Sequence, residues 1–290
     1  SPLVDKILSQ NTRMTDFIPR YRELLINERK QSAKTIKETD YRLNNIDSNF
    51  GQFFLSQIDV SKCADLLDQF PDRQSNAFRT LLCDLYKWAI AKGKTSYNPV
   101  MDTIPKIVTV TRKRWDMDGF NAAREKAPPY IQRAMDLALH TLLRREDLVK
   151  LKFSQYKDGR LKVATIKTGA HIDIQVGQTL DTVNRSCRDD ALSPCMIHYP
   201  LKYRNGYSGK CLTPEALTRA VQRARDKSKY YAGKANPPTL HEIRSLGAKL
   251  YEDQGISPQS LLGHADEKMT RVYLDRYEVK WIEAEAVLTL

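Results

Sequence analysis

Apolar residues between positions 13 and 101 recur at the spacing of amphipathic helices. The stretch RMTDFIPRYRELLINER, for example, places Phe17 and Tyr21 on one helix face. Ser32 stands where a helix N-cap is expected, and Gly93 stands where the last helix of the region ends. We expect residues 13–101 to form an all-helical domain of about four helices whose apolar faces share one core.

The next segment, residues 102–115, has the sequence DTIPKIVTVTRKRW and breaks the helical pattern. Pro105 and several β-branched residues disfavour a helix. Arg112, Lys113 and Arg114 then form a basic cluster. Such a cluster is either a solvated loop or a contact to phosphate groups, and its place between two domains makes the two readings nearly equal. We predict a basic interdomain linker.

From residue 116 to residue 290 the pattern is mixed. The run PPYIQRAMDLALHTLLRREDLVKL has helical spacing, whereas LKVATIK and HIDIQV alternate as strands do and flank a TGA turn. Thr213 and Pro214 are typical of the first positions of a helix, which we expect over LTPEALTRAVQRARDKSK. This region therefore predicts a mixed α+β domain with a small antiparallel β-sheet.

The composition indicates a polyanionic partner. Lysine and arginine number 47 against 35 acidic residues, which gives a net charge of +12 and a pI near 9.4. No apolar run reaches the length of a membrane span and no signal peptide is recognisable, so nucleic acid is favoured over a membrane surface. Arg219 and Arg223 lie in a strongly cationic helical stretch, which is either a solvated face or a DNA contact.

The cysteines indicate a reducing compartment rather than a metal site. Their number is odd, none forms a CxxC pair, and none clusters with histidine as zinc ligands do. We expect all of them to be free thiols in a cytoplasmic protein. They are Cys63, Cys83, Cys187, Cys195 and Cys211.

Polar residues suited to one kind of chemistry are spread over the second region. A phosphodiester gains charge on its nonbridging oxygens when it is attacked, and arginines bind such oxygens through paired hydrogen bonds. A tyrosine is a nucleophile once cations or a histidine favour its phenolate, and a lysine can protonate the departing oxygen. No carboxylate cluster accompanies the set, so we expect neither a metal nor a cofactor. The residues are Arg144, Lys167, His241, Arg244, His264 and Tyr273.

The local placement of these residues follows from the pattern around them. We expect Arg144 inside a helix, with Asp147 one turn later. Lys167 should lie in the turn of the predicted hairpin. His241 and Arg244 are three positions apart, so both side chains should leave the same face of a helix.

At this point a family resemblance is visible. The motifs TLLRREDL, IKTG, HEIRSLGAKLYE and LLGH, with Tyr273 nine residues after His264, resemble the tyrosine recombinases, and specifically the phage lambda-type integrases. The elements stand in the order and spacing of that family. The resemblance implies a helical core-site-binding domain over residues 13–101 and a catalytic domain over residues 116–290.

Two departures from the family pattern are present. The family usually has glycine two residues before the first arginine, and Leu142 stands in that position here. We expect this to shift local helix packing without removing a reacting group. Only residues 1–12 precede the helical region, and they are too few to fold alone as the small arm-site domain of lambda-type integrases. We interpret them as an N-terminal remnant or a linker.

The resemblance implies the bond-making and bond-breaking roles. Tyr273 is implied as the nucleophile that forms a 3′-phosphotyrosine, and Lys167 as the general acid for the leaving 5′ oxygen. Tyr277 and Lys162 are the nearest rivals. Spacing favours Tyr273, and a place in the hairpin turn rather than within a strand favours Lys167.

The resemblance also implies the phosphate-binding roles. Arg144 and Arg244 are implied to bind the scissile phosphate, with Asp147 supporting the first arginine. His241 is implied to handle protons beside Arg244, and His264 to contact the phosphate.

The expected function is that of a site-specific DNA integrase. Its partners would be double-stranded DNA at core sites and three further copies of the chain, with DNA-bending accessory proteins, in the cytoplasm of a bacterial host. A type IB topoisomerase is one alternative, but the LLGH block and the helical domain favour a recombinase. A catalytically idle DNA-binding relative is the other, and the complete set of reacting residues disfavours it.

Overall fold

The computed structural model describes residues 12–108, 113–203, 206–263 and 269–270. The chain divides into two compact units, Ser1–Val110 and Thr111–Leu290. The division falls within the segment 102–115 that the sequence predicts as a linker. Each unit has its own hydrophobic core, so each folds around side chains from its own part of the chain.

The first unit is built from helices. They are α1 (Met14–Glu23, continued by a π-helical turn Leu24–Glu28), α2 (Ala33–Phe50), α3 (Val60–Asp68) and α4 (Asp72–Ala91), with a short 3₁₀ turn at Leu55–Gln57. The Ser32 hydroxyl accepts a hydrogen bond from Thr35 N at 3.2 Å, as expected of an N-cap. Gly93 follows α4 with a φ of 67°, which is the left-handed conformation of a helix C-terminus.

The segment after α4 is held on the helical unit. The Arg79 guanidinium donates to the Thr103 carbonyl oxygen at 2.9 Å. The Asn76 side-chain amide accepts from Lys106 N at 2.8 Å and donates to Lys106 O at 2.8 Å. The first residues of the predicted linker therefore have fixed positions on α4, because their backbone groups are satisfied by its side chains.

The second unit combines helices with one small sheet. Its helices are α5 (Met117–Lys126), α6 (Pro129–Thr141), α7 (Arg145–Leu148), α8 (Gln178–Ser186), α9 (Pro214–Ser228), α10 (Leu240–Asp253) and α11 (Gln259–Leu262), with a 3₁₀ turn at Phe153–Gln155. The strands are β1 (Tyr156–Lys157), β2 (Arg160–Ala164) and β3 (His171–Gln175), antiparallel in the order β1-β2-β3. The predicted α+β fold is confirmed. No helix in the described ranges is long and apolar enough to cross a membrane.

Trp115 fastens the start of the second unit to its later helices. Its ring is 1% exposed and packs edge-on against Tyr231, with 5.4 Å between ring centroids. Its indole N–H donates to the Thr239 carbonyl oxygen at 2.8 Å, directly before α10 begins. An aromatic ring with one satisfied polar atom thus fixes where α10 enters the core.

Helices α6 and α10 pack closely because of one glycine. A Cβ atom at Gly247 would collide with the Leu139 carbonyl oxygen and with the Leu142 side chain. The absent side chain lets the middle of α10 approach the end of α6. Arg244 lies one turn before this contact, so the close packing also sets the depth of that arginine.

The expectation that every cysteine is a free thiol is wrong. Cys195 and Cys211 form a disulfide, with 5.6 Å between their Cα atoms, while the other three cysteines are free and buried. A backbone bridge between His198 and Cys211 brings the two ends of a loop together, and a second bridge pairs Cys195 with Lys152. Sequence spacing cannot reveal such a pairing, because it depends on a loop that folds back on itself.

Candidate active site

Arg244 lies in the middle of a well-anchored helix. Helix α10 begins with a capping box in which the Glu242 carboxylate accepts from Thr239 N at 2.7 Å. Leu240, Ile243 and Leu246 bury one face of the helix in the core of the second unit. The Arg244 side chain is 2% exposed, so the fold holds this cation within the unit rather than on its surface.

The guanidinium of Arg244 joins three segments of the chain. Its Nη1 donates to the Leu142 carbonyl oxygen at the end of α6. Its Nη2 donates to the Leu262 carbonyl oxygen at 2.7 Å, in the last turn of α11. These carbonyls orient the guanidinium without neutralising it, because a carbonyl oxygen carries only a partial charge.

Leu142 turns the chain at the end of α6. It has a φ of 54° and a ψ of 21°, in the left-handed region that glycine adopts without steric cost. This is the position where the tyrosine recombinases, which the sequence motifs resemble, usually have glycine. The turn aims the Leu142 carbonyl at Arg244, and it buries the side chain against Ala248 and Leu262.

Arg144 does not lie inside a helix, which corrects the expected placement. Its backbone is extended, with φ −69° and ψ 153°, and it is the N-cap of the four-residue helix α7. The Leu142 turn causes the difference, because it ends α6 and separates the predicted single helix into two. The side chain is half-buried, and its Nη1 has no hydrogen-bond partner among the described residues.

Asp147 connects α7 to the β2–β3 hairpin. Its Oδ1 accepts a hydrogen bond from Ile166 N at 2.7 Å, and the residue is 3% exposed. The contact orients the hairpin turn rather than the Arg144 side chain that the family resemblance implies as its partner. Sequence reasoning missed this contact, since it joins residues that are 19 positions apart.

Lys167 lies in the turn between β2 and β3, where the sequence predicts it. The turn is closed by Thr165 N, which donates to the Ala170 carbonyl oxygen at 2.9 Å. The Lys167 side chain is exposed and stands next to Ile166, the residue held by Asp147. The rival Lys162 lies within β2, with its Nζ 4.0 Å from Asp173.

Of the remaining predicted catalytic residues, the structure describes only His241. His241 is in the first turn of α10 and is exposed, in contrast to the buried Arg244 one turn later. Gly263 ends α11 with a φ of 60°, in the left-handed conformation that is common at a helix C-terminus. His264 and Tyr273 fall outside the described residues. Within the described ranges, no three side chains of the His, Cys, Asp and Glu types are grouped as metal ligands would be.

The predicted DNA contacts are placed in different surroundings. Lys113 is exposed, whereas Arg114 is half-buried and donates to the Ser245 hydroxyl of α10. Arg219 and Arg223 are exposed, one turn apart on α9. Arg112 falls outside the described residues.

One arginine of the cationic helix α9 is part of the core. Arg225 is 8% exposed, and its Nη1 donates to the Pro238 carbonyl oxygen at 2.6 Å. Its guanidinium also pairs with Asp226 at 2.7 Å. This side chain connects α9 to the chain just before α10. Because it is buried, the number of basic residues in α9 is larger than the number of positive charges that the helix exposes to solvent.

Known proteins resemble the chain over nearly its whole length. Residues 116–279 match the phage integrase family. A prophage integrase of Escherichia coli K12 is 31% identical over 275 residues, which cover 89% of this chain and 72% of the relative. The integrase of Escherichia phage lambda is 30% identical over 98% of this chain and 82% of the relative.

Solved structures agree with the sequence relatives. The crystal structure of a lambda integrase dimer bound to a COC′ core site matches with a TM-score of 0.82 and 28% identity, over 98% of this chain and 84% of that one. A lambda integrase tetramer bound to a Holliday junction matches with a TM-score of 0.81 and 28% identity, over the same shares. The chain belongs to the phage integrase family and is a site-specific recombinase of the tyrosine class.

Proposed function

We propose that the chain cleaves and rejoins DNA through a covalent 3′-phosphotyrosine on Tyr273. The supporting observation is that hydrogen bonds connect three catalytic segments that are distant in sequence. Arg244 donates to the carbonyl of Leu142, two residues before Arg144, and Asp147 holds the turn that carries Lys167. A phosphate placed beside these segments would be within reach of two guanidinium groups and one ammonium group.

The proposed reaction is a transesterification in two steps. The Tyr273 oxygen forms a bond to the scissile phosphorus, and the bond from phosphorus to the 5′ oxygen breaks. Lys167 donates a proton to that oxygen as it leaves. Attack of a 5′ hydroxyl on the phosphotyrosine then reverses the chemistry. One phosphoester bond replaces another in each step, so no ATP is consumed.

The proposed roles of the other residues concern charge and protons. Arg144 and Arg244 stabilise the charge on the nonbridging oxygens, which grows as the nucleophile attacks. His241 accepts the proton of the tyrosine hydroxyl, and His264 contacts the phosphate. Asp147 acts on Lys167 through the hairpin turn. The roles require no metal or cofactor.

Double-stranded DNA and further copies of the chain are the proposed partners. Lambda integrase has been solved on a core site and as a tetramer on a Holliday junction. We propose the same four-protomer assembly for this chain on two core sites, in the cytoplasm of a bacterial host. DNA-bending accessory proteins would bring distant sites together. Lys113, Arg219 and Arg223 are exposed cations that suit contacts to the phosphate backbone.

The proposal is tested with a nicked suicide duplex that traps the covalent intermediate. The wild-type protein should form an SDS-resistant DNA adduct, in excess EDTA as well as in its absence. Tyr273→Phe should bind the duplex normally and form no adduct, whereas the matched variant Tyr277→Phe should form one. An adduct that persists in Tyr273→Phe and disappears in Tyr277→Phe would reassign the nucleophile.

A further inference from the structure

A loop of the second unit is anchored at both of its ends. The disulfide between Cys195 and Cys211 closes it, and Tyr199 N donates to the Lys210 carbonyl oxygen at 3.0 Å just inside the disulfide. Leu212 N, just outside, donates to the Ile197 carbonyl oxygen at 3.3 Å. The loop therefore leaves the unit from a defined base. We call its described part, residues 199–203 and 206–210, the tyrosine loop.

A buried histidine strengthens this base. His198 is 1% exposed, and its ring nitrogens contact the Cys195 carbonyl oxygen at 2.7 Å and Asp189 Oδ1 at 2.9 Å. Arg133 pairs with the other oxygen of Asp189 at 2.7 Å. Burial acts to raise the pKa of Asp189, but hydrogen bonds from His198 and from Ala191 N, with the charge of Arg133, outweigh burial and hold the pKa below its usual value. The Asp189 carboxylate at the base of the loop is thus already paired.

Tyrosine rings cover the outer part of the loop. Tyr199 and Tyr203 are stacked with 4.4 Å between centroids, and Tyr203 packs edge-on against Tyr130 of α6 at 6.0 Å. Tyr207 packs on Tyr199 at 5.5 Å and is 50% exposed. The Lys210 ammonium lies 5.3 Å from the centre of the Tyr207 ring. The rings are partly buried against each other, and the cluster keeps an exposed face.

The charge around this cluster is positive. Residues 191–214 include no aspartate or glutamate, and the exposed Lys202 and Lys210 lie in the loop. Burial raises the pKa of Tyr130 to about 12, and the nearby Arg223 of α9 opposes that shift. The surface therefore joins phenol groups to ammonium and guanidinium groups.

We propose that the tyrosine loop is a contact to the phosphate backbone of duplex DNA, and that in the oxidised protein the Cys195–Cys211 disulfide holds it in position. Lysine ammonium groups and tyrosine hydroxyls both donate hydrogen bonds to phosphate oxygens, and such contacts carry no base preference. The exposed Arg219 and Arg223 of α9 lie near Tyr199 and oppose the rise in its pKa that burial causes, so they continue the surface. This inference rests on the proposed function, because it takes its partner from the DNA reaction.

Reduction of the disulfide should release the loop. A dithiol reagent such as dithiothreitol attacks the disulfide through the exposed residue Cys211. The S–S bond of the protein breaks, two cysteine thiols form, and the two sulfurs of the reagent become joined in a disulfide. The proposed reacting residues all lie outside residues 195–211 in the sequence, so DNA affinity should fall while the rate of strand cleavage by bound protein stays the same.

The charge part of the proposal is tested by the salt dependence of DNA binding. Each phosphate contact contributes about 0.9 to the slope of log Kobs against log salt. The double variant Lys202→Gln/Lys210→Gln should therefore lower the slope by roughly two. The matched double variant Lys126→Gln/Lys157→Gln removes two exposed lysines of the same unit and should leave the slope unchanged.

Two results would overturn this part. An unchanged slope in Lys202→Gln/Lys210→Gln would remove the loop from the DNA contacts. Poly-glutamate serves as a model of an acidic protein partner. If Lys202→Gln/Lys210→Gln lost binding to poly-glutamate but bound DNA as the wild type does, the surface would be assigned to an acidic protein instead. Tyr207→Phe, which keeps the ring and removes only the hydroxyl, should weaken DNA binding by a smaller factor than the lysine pair.

The disulfide part is tested by comparing oxidised and reduced protein on the same duplex. Alkylation of the unfolded, unreduced protein should label Cys63, Cys83 and Cys187 only. Dithiothreitol should weaken DNA binding by the wild type to the level of Cys211→Ser, and should leave Cys211→Ser itself unchanged. Equal affinities of oxidised and reduced wild type would refute the role of the disulfide. DNA binding is measured at equilibrium, and adduct formation is measured at saturating protein. A failure of the proposed cleavage reaction is therefore distinguishable from a failure of the loop to bind DNA.

Discussion

Arg144 and Arg244 are proposed to bind the same phosphate, but the chain holds them in different ways. Arg244 is buried in the middle of α10 and donates to two backbone carbonyls. Arg144 is half-buried in an extended segment between α6 and α7, and its Nη1 has no partner in the described part of the chain. Arg244 therefore contributes hydrogen bonds to the fold, whereas Arg144 is held by the fold with one guanidinium nitrogen that the described residues leave available to a ligand.

This difference predicts that the two arginines contribute equally to cleavage but unequally to the stability of the fold. Loss of Arg244 leaves two carbonyl groups without their donor, and a buried polar group without a partner costs stability. Loss of Arg144 removes a charge, and its Nη1 has no acceptor among the described residues that would be left without a donor. Both losses should impair cleavage, but only one should also weaken the fold.

The largest effect is expected from replacing either arginine. Arg144→Ala and Arg244→Ala should each lower the cleavage rate on a suicide duplex about 10²–10³-fold, because each removes a donor to the charge of the transition state. Thermal unfolding should separate them. Arg244→Ala should lower the free energy of unfolding by about 2 kcal/mol, and Arg144→Ala should leave it nearly unchanged. Equal losses of stability would contradict the contrast.

The next largest effect concerns the glycine that lets α10 approach α6. Gly247→Ala should destabilise the second unit by about 3 kcal/mol, because its Cβ meets a backbone oxygen that cannot rotate away. Chemical denaturation measures the change. Gly177→Ala is a matched control, since a Cβ at Gly177 meets nothing within 4 Å and its φ is not in the left-handed region. Similar losses in the two variants would show that the close approach is unimportant.

A smaller effect is expected where Asp147 holds the hairpin turn. Asp147→Ala removes the acceptor of Ile166 N, so Lys167 should be positioned less well and cleavage should slow about tenfold. DNA with a bridging 5′-sulfur at the scissile position should restore the rate, since a thiolate leaves without a proton. Lys167→Ala should be rescued in the same way and Arg144→Ala much less. Equal rescue of Asp147→Ala and Arg144→Ala would indicate that Asp147 acts on the phosphate-binding arginine instead.

The smallest effect concerns the left-handed turn at Leu142. Both Leu142→Ala and Leu142→Gly lose the same buried packing against Ala248 and Leu262. Only glycine is free of the steric cost of a φ of 54°, which is about 1 kcal/mol for other residues. Leu142→Gly should therefore unfold at higher denaturant than Leu142→Ala. The reverse order, which is normal within a helix, would mean that the turn is not left-handed in solution.

The sequence alone was sufficient for the helices of the first unit and for the β2–β3 hairpin, whereas α5 and α8 were not predicted from it. Apolar spacing predicted the helices of the first unit and alternation predicted the β2–β3 hairpin, since both periods follow from local backbone geometry. Ser32, Gly93 and Thr213 also have the capping positions that were predicted, because a cap depends on neighbours within one turn. The order of the motifs also predicted the family, and the match of residues 116–279 to the phage integrase family confirms that prediction.

Only the tertiary structure decided how the catalytic segments are held. The helical spacing around Arg144 predicted one long helix, because periodicity does not register a single residue with a positive φ such as Leu142. The bonds of Arg244 to Leu142 and of Asp147 to Ile166 join positions 102 and 19 residues apart, and no local signal encodes them. The Cys195–Cys211 pair was missed for the same reason. Local propensities determine elements, whereas long-range contacts exist only once those elements have packed.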